Sequence, residues 1–310
     1  MRKNKRIAIL TRARFSYHRQ LGWGFLEAMD NCSEDISAWT PVMFFCREAL
    51  RDVMYEQMKE VSEDKYDLII SVGSLWTDVA TQFIHETGLK VPLVFGGVTD
   101  PIALGILSDL KPTPQITGIY REPASWLLVA KILHRIKPTM KRLLIPYYEH
   151  AENGLVAKVL EGIRNYYATV GVETILYPVQ KVGSYSEELH ELLLTVDTLW
   201  SFEGGFLDIF SSYLIEVCNA RHITFFSNNG AHVAQGAALV YAAPDFKSMG
   251  EALVSQAYGI LEEGKTPDQL EIIQLPSDRK LMVSVEAAKM QGLEIDDALL
   301  LAIQNELLLL

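Results

Sequence analysis

VPLVFGGVTDPIALG, residues 91–105, is the stretch whose reading decides the fold. Leu93-Val94-Phe95 is a short unbroken apolar run, the pattern of a strand buried on both faces. Gly96 and Gly97 let the backbone turn tightly and stay open to a ligand. Asp100-Pro101 reads as a helix start, with Asp at the N-cap and Pro at the first helical position. A buried strand therefore runs into a bare polar loop with exposed N–H groups. In open α/β sheets, ligands bind at such carboxyl ends.

Outward from this stretch the pattern repeats. Apolar runs at 6–11, 39–45, 67–72 and 92–95 alternate with helical patterns at 17–29, 48–61 and 75–86. That order predicts a parallel sheet with helices on both faces. A second set follows, with strands at 142–146, 172–177, 197–202 and 223–227 and helices at 154–167, 187–194 and 207–219. The chain thus reads as two α/β halves joined near 118–123. Residues 237–242, a helix at 246–262 and strands at 270–274 and 280–284 can join either half. Residues 298–310 read as a terminal amphipathic helix, with an interaction helix as the alternative.

The 310 residues suit two domains better than one. A net charge of -11 argues against nucleic acid, because phosphate binding needs clustered Lys and Arg. No apolar run approaches the ~20 residues of a membrane helix, so no membrane insertion is expected. The basic start (Arg2, Lys3, Lys5, Arg6) resembles the first region of an export signal, but Ile7-Ala8-Ile9-Leu10 is too short for its apolar core. Either the chain is cytoplasmic or an export signal has been replaced by the initial Met. Cys32, Cys46 and Cys218 have neither the number of a disulfide framework nor zinc-site spacing. Cys218 reads as core, and a Cys32–Cys46 bridge is conceivable in an oxidising compartment.

Val98-Thr99-Asp100-Pro101 after a strand, then Gln115-Ile116-Thr117-Gly118, resembles the ABC-transporter substrate-binding proteins. Their signature is a strand, V-[TS]-D-P and a Gly-rich return ending in an N-I-T-G-like run. The similarity continues through 267–293, which ends in Glu286-Ala287-Ala288-Lys289-Met290-Gln291-Gly292-Leu293 against a family pattern "nlktAkalGi". This family includes importers' receptors for aromatic amino acids.

The resemblance implies two Rossmann-like lobes of the type I periplasmic binding protein class. The ligand would sit between them, and three hinge crossings would fall near 117–120, 242–246 and 276–280. Lobe one would be 1–118 plus 246–276, and lobe two 119–245 plus 277–310. The location implied is periplasmic or extracytoplasmic. No helix-turn-helix precedes the first strand, so the DNA-binding head of the related repressors is not expected.

The residues just after each strand are the candidate ligand shell. From lobe one these are Thr11, Arg12, Phe15 and Tyr17, then Gly73 and Ser74, then Gly97, Thr99 and Asp100. From lobe two they are Tyr147, Tyr148, Glu149 and Asn153, then Phe202 and Glu203, then Ser227 and Asn228. Ser74 opens a helix, where its hydroxyl and the first N–H groups suit a carboxylate; the plainer reading is an N-cap. Asp100 either caps its helix, a contribution of about 1 kcal/mol, or faces a ligand ammonium. Glu203 is lobe two's counter-charge, standing where the family often has an Asp. Tyr147, Tyr148, Phe15, Tyr17, Trp76 and Phe202 offer rings, each pair contributing about 0.5–1.5 kcal/mol beyond area burial. Asn153 and Asn228 either read polar ligand atoms or cap helices.

No G-x-S-x-G elbow, P-loop or H-E-x-x-H occurs, and the seven His residues are scattered. No catalytic residue, cofactor or metal is expected. The expected function is the solute receptor of an ABC importer, with a small-molecule ligand and an ABC permease as partners. The ligand would be a small polar molecule, an amino acid (aromatic ones included) or a relative. The alternatives are a sensory module of the same fold signalling to a partner protein, and a two-lobed enzyme.

Overall fold

A computed structural model describes residues 4–12, 16–46, 51–98, 100–102, 104–121, 126–148, 155–179, 186–202, 210–241, 246–275 and 281–309. The chain forms two compact units, Met1–Pro123 with Asp245–Pro276, and Ala124–Pro244 with Ser277–Leu310. Elements are numbered along the chain.

Unit 1 comprises β1 (Lys5–Arg12), α1 (Ser16–Asp30), β2 (Trp39–Cys46), α2 (Arg51–Glu63), β3 (Leu68–Val72), α3 (Ser74–Thr87), β4 (Leu93–Val98), β5 (Ile116–Arg121), α9 (Phe246–Leu261) and β11 (Ile273–Leu275). The sheet order is β11-β5-β4-β3-β1-β2, parallel throughout. Alternation of side chains explains the unbroken apolar strands. Ile7 and Ile9 enter the core with Leu21 and Phe25 of α1 and Met249 and Leu253 of α9. Ala8 and Leu10 enter the opposite core with Met54 and Met58 of α2 and Trp76 of α3. Helices α1 and α9 meet backbone to backbone. A Cβ on Gly250 would stand 2.2 Å from the Gly24 oxygen, and one on Gly24 would stand 2.6 Å from the Phe246 oxygen. Only glycine permits that approach.

Unit 2 comprises α4 (Trp126–Ile136), β6 (Arg142–Tyr148), α5 (Leu155–Thr169), β7 (Glu173–Val179), α6 (Glu187–Leu193), β8 (Thr198–Ser201), α7 (Ser211–Arg221), β9 (Thr224–Ser227), α8 (Gly230–Gln235), β10 (Leu239–Tyr241), β12 (Leu281–Val283), α10 (Val285–Met290) and α11 (Asp297–Leu309). The order β12-β10-β9-β8-β6-β7 repeats that of unit 1. Strand β12 differs by running antiparallel to β10. One large core joins Leu143, Ile145, Trp200, Phe202 and Phe226 of this sheet to α4, α5, Leu293 and Ile303.

Several local expectations change. Asp100-Pro101 starts turns rather than a helix. Asp100 Oδ1 accepts the Ile102 N–H at 3.2 Å, and the N–H groups of Ile106 and Leu107 both reach the Pro101 oxygen. Gly105, at φ +70°, turns the chain out of helical geometry. Strand β5 runs to Arg121, so unit 1 continues to Pro123 rather than ending at 118. Strand β11 begins at Ile273 because Pro267–Gln269 is a 3-10 turn closed by a Thr266–Gln269 capping box. Helices α4, α8 and α10 lie outside the expected set. All three cysteines are free thiols, so Cys32 and Cys46 are not bridged.

Candidate functional site

Both sheets are doubly wound. Their strands proceed in opposite directions from one point, between β1 and β3 in unit 1 and between β6 and β8 in unit 2. At such a point the helices after the two strands leave to opposite faces and open a crevice at the carboxyl ends.

In unit 1, Thr11 and Arg12 from β1 and Gly73 and Ser74 after β3 stand at this switch point. Thr11 is fully buried, and its carbonyl oxygen accepts the Trp76 indole N–H at 2.9 Å. The Arg12 side chain is buried too, leaving 8 % of the residue exposed. The N-cap of α3 is Gly73 rather than Ser74. Its φ of 83° and ψ of 161° suit glycine, and it offers no side-chain cap. Ser74 is the first helical residue, and its hydroxyl makes no hydrogen bond to any described residue. The first N–H groups of α3 likewise lack intrahelical acceptors. The turn is rigid nonetheless. Thr77 Oγ1 lies 2.9 Å from both the Gly73 oxygen and Ser71 Oγ, and Gly73 N–H donates to the Gly96 oxygen at 2.8 Å. A buried guanidinium and a helix N-terminus are each chemically suited to an anion. Trp76, expected to offer its ring to a ligand, is instead fully buried core. Asp100 holds its own turn, as described above.

In unit 2, Tyr147 is partly buried against the main core. Phe202 is 1 % exposed. Asn228 Oδ1 accepts the Trp200 indole N–H at 3.2 Å, and Asn228 Nδ2 donates to the Phe202 oxygen. Ser227 Oγ accepts the Asn229 N–H at 3.0 Å and lies 2.7 Å from His232 Nδ1. The polar atoms of Ser227 and Asn228 are thus engaged in fixing the ends of β8 and β9. Phe15, Thr99, Glu149, Asn153 and Glu203 lie outside the described residues. Tyr17 and Tyr148 belong to α1 and β6, and their side chains are likewise outside the description.

Sequence reasoning missed Trp126, the first residue of α4. Its ring centroid is 4.5 Å from that of Phe202 and 6.5 Å from that of Trp200. The signal was present, since Val129, Ile132, Leu133 and Ile136 follow helical spacing and Ser125 precedes them as a potential cap.

Among the described residues, no group of three or more His, Cys, Asp or Glu is placed to hold a metal ion. None of the described helices is long and apolar enough to cross a membrane.

A family model described as ABC transporter substrate binding protein matches residues 25–306. No curated protein matches the sequence. Among solved structures, a conserved domain protein from Vibrio cholerae superposes with a TM-score of 0.81 at 16% identity, covering 96% of this chain and 98% of that one. An ABC domain in complex with L-Trp from Streptococcus pneumonia gives 0.78 at 14% identity, with the same coverage. A ligand-free, open substrate binding protein with adhesive properties from Clostridium difficile gives 0.63 at 17% identity, covering 94% and 96%.

Proposed function

The chain belongs to the ABC transporter substrate binding protein family and has the type I periplasmic binding protein fold, and from that premise we propose that it is the extracytoplasmic solute receptor of an ABC importer. Its ligand is a small polar molecule bearing a carboxylate, and an amino acid fits best. It is released chemically unchanged to a permease. One observation carries this reading. Arg12 ends β1 and is buried, and Ser74, with its hydroxyl unengaged, opens α3, so both belong to the elements that flank the switch point of unit 1. Those groups complement a carboxylate. Asp100 supplies the counter-charge for an ammonium. Two or three charged hydrogen bonds at about 1.5–3 kcal/mol each, with apolar packing, reach micromolar affinity, about -8 kcal/mol, once ordering costs are met.

Native mass spectrometry of freshly purified protein tests this directly. The expected result is a retained solute of unaltered mass that rebinds in titration calorimetry. Its affinity should fall at least tenfold in Arg12→Gln and in Asp100→Ala, with each variant still unfolding in one cooperative transition. Turnover of the bound compound, or full affinity in both variants, refutes the reading.

A further inference from the structure

We propose that the outer face of α11 pairs in parallel with α11 of a second copy of this chain, so that the protein forms a weak, concentration-dependent homodimer; the seam lies wholly within unit 2 and does not depend on the solute site.

Helix α11 (Asp297–Leu309) carries Ala, Leu or Ile at every position except 297 and 304–306. A helix so apolar needs cover on more than one side. Its own unit supplies one cover. Ile303 is fully buried in the main core of unit 2, and Leu299 and Leu300 pack against that core. Asp296 Oδ1 accepts the N–H groups of Ala298 and Leu299 at 2.9 and 3.1 Å, which fixes where the helix begins and so which residues turn inward. The other side is in solvent. Ala298, Leu301 and Ala302 are exposed, Leu301 by 62 %.

The exposed residues fall on a heptad. With Ala298 at a, Leu301 stands at d. The same spacing of three and four reaches position 305, an Asn at the next a, and position 308, a Leu at the next d. The inward residues Leu299, Leu300 and Ile303 take b, c and f, the positions that a two-stranded coiled coil leaves outside its seam. One helix thus serves its own core and a partner without conflict. Leu at d with a single Asn at a is a pattern of in-register pairs, in which the Asn selects one register and one stoichiometry. A stripe that is its own complement points to a second copy as the occupant.

Charge agrees. No a, d or e position is charged, and the one charged g position, Asp297, falls opposite the partner's Ala302 in a parallel pair, so like charges do not meet. Residues 290–310 hold the acids Glu294, Asp296, Asp297 and Glu306 and no Lys or Arg, which disfavours an anionic lipid surface. A seam on a helix of 13 residues buries less than the roughly 1,200 Å² of a stable complex, so the pair is weak, dissociating in the micromolar range or above.

Sedimentation equilibrium of the full chain, from micromolar to several hundred micromolar, tests this. The average mass is expected to rise with concentration from 34.9 kDa toward twice that value. Leu301→Glu should raise the dissociation constant at least about tenfold and leave the urea midpoint unchanged, since the residue is mostly exposed. A second variant does not rely on that change. Cys46 and Cys218 are buried, so in a Cys32→Ser background an added thiol is the accessible one. There Asn305→Cys should form an intermolecular disulfide under oxidised glutathione much faster than Lys289→Cys, an exposed control on α10, because a parallel in-register pair brings position 305 beside itself. A mass fixed at one chain over the whole range overturns the proposal. So does a dimer that Leu301→Glu does not weaken, or equal cross-linking at positions 305 and 289. Phosphatidylcholine vesicles supply the last arm. A chain that stays monomeric, co-sediments with them and loses that binding in Leu301→Glu gives the face to lipid and overturns the pairing.

Discussion

Trp76 in α3 donates its indole N–H to the carbonyl oxygen of Thr11 at the end of β1, 2.9 Å away, with both residues fully buried. The bond ties the first turn of the helix after β3 to the strand on the far side of the switch point. Trp76→Phe removes this donor from the buried Thr11 carbonyl and opens a small void. The expected cost is about 2–4 kcal/mol in urea unfolding. Because Thr11 adjoins Arg12, solute affinity should fall as well. A loss below about 0.5 kcal/mol would mean that the bond does not organise this corner.

The contact of α1 with α9 predicts two alanine substitutions of opposite sign. Helix propensity alone favours Gly→Ala by up to about 1 kcal/mol. At Gly250 the new methyl would lie 2.2 Å from the Gly24 oxygen, so the helices must separate. Gly250→Ala should therefore destabilise by about 1–3 kcal/mol. At Gly162 in α5 a Cβ meets nothing within 4 Å, and Gly162→Ala should stabilise by roughly 0.5–1 kcal/mol. Denaturation midpoints of the two variants moving in the same direction would contradict the packing.

Such contacts mark the limit of what the sequence discloses. The central strands were legible because burial on both faces forces runs such as Ile7 to Leu10 and Leu68 to Val72, whatever their neighbours. The close approach at Gly24 and Gly250 joins residues 226 positions apart, and no local pattern signals it. Ser74 looked like a cap because Ser favours that position. The backbone turn, with Gly73 at φ 83°, moves the cap one residue earlier and leaves the hydroxyl unengaged. The place of Trp76 after a strand predicts a ligand contact, yet packing directs it into the core. The Glu286–Leu293 patch carries the resemblance to the family pattern without showing why. In the fold, Gln291 Oε1 accepts the Phe225 N–H while Nε2 bonds Asn219 and Gly236, so the motif stitches α10 to the sheet of unit 2.

The thiols should separate by reactivity. Burial pushes the Cys218 thiol up to about 12, although the Lys137 charge opposes it, so little thiolate forms at neutral pH. Cys46 is buried at the end of β2, whereas Cys32 is only partly covered. A thiol-specific reagent at pH 8 should modify Cys32 in the native protein, and Cys46 and Cys218 only after denaturation. Peptide mass mapping of the labelled sites checks the order. Fast native labelling of Cys218 would show that its helix opens readily.

Lys137, at the end of α4, gives the amino end of the unit 2 sheet its main polar anchor. Its ammonium donates to the Asp197 oxygen at 2.6 Å and to Thr224 Oγ1 at 2.9 Å, and lies 3.4 Å from the Asp197 carboxylate. Burial pushes the Lys137 ammonium down from its ordinary value despite the Asp197 charge. Burial also acts to raise the Asp197 carboxyl, but bonds from Thr198, the Arg142 and Lys141 N–H groups and the Lys137 charge outweigh it and hold the group below its ordinary 3.8. The two signs differ in consequence. For Asp197 the unfolded chain binds the proton more readily, so its stabilisation is complete above about pH 3.8 and is lost as pH falls through the lower folded value. For Lys137 the folded chain releases the proton more readily, so stability rises with pH as it climbs from the depressed folded value towards 10.5. Asp197→Asn should accordingly destabilise by about 1–3 kcal/mol at pH 7, with the difference from wild type shrinking below pH 3.8. Lys137→Met should cost about 1–3 kcal/mol at pH 7, because Asp197 keeps its other donors, and should lose the alkaline rise. Urea midpoints measured from pH 3 to pH 10 decide it. A parallel offset of either variant across that whole range would show that the pair is not coupled to folding.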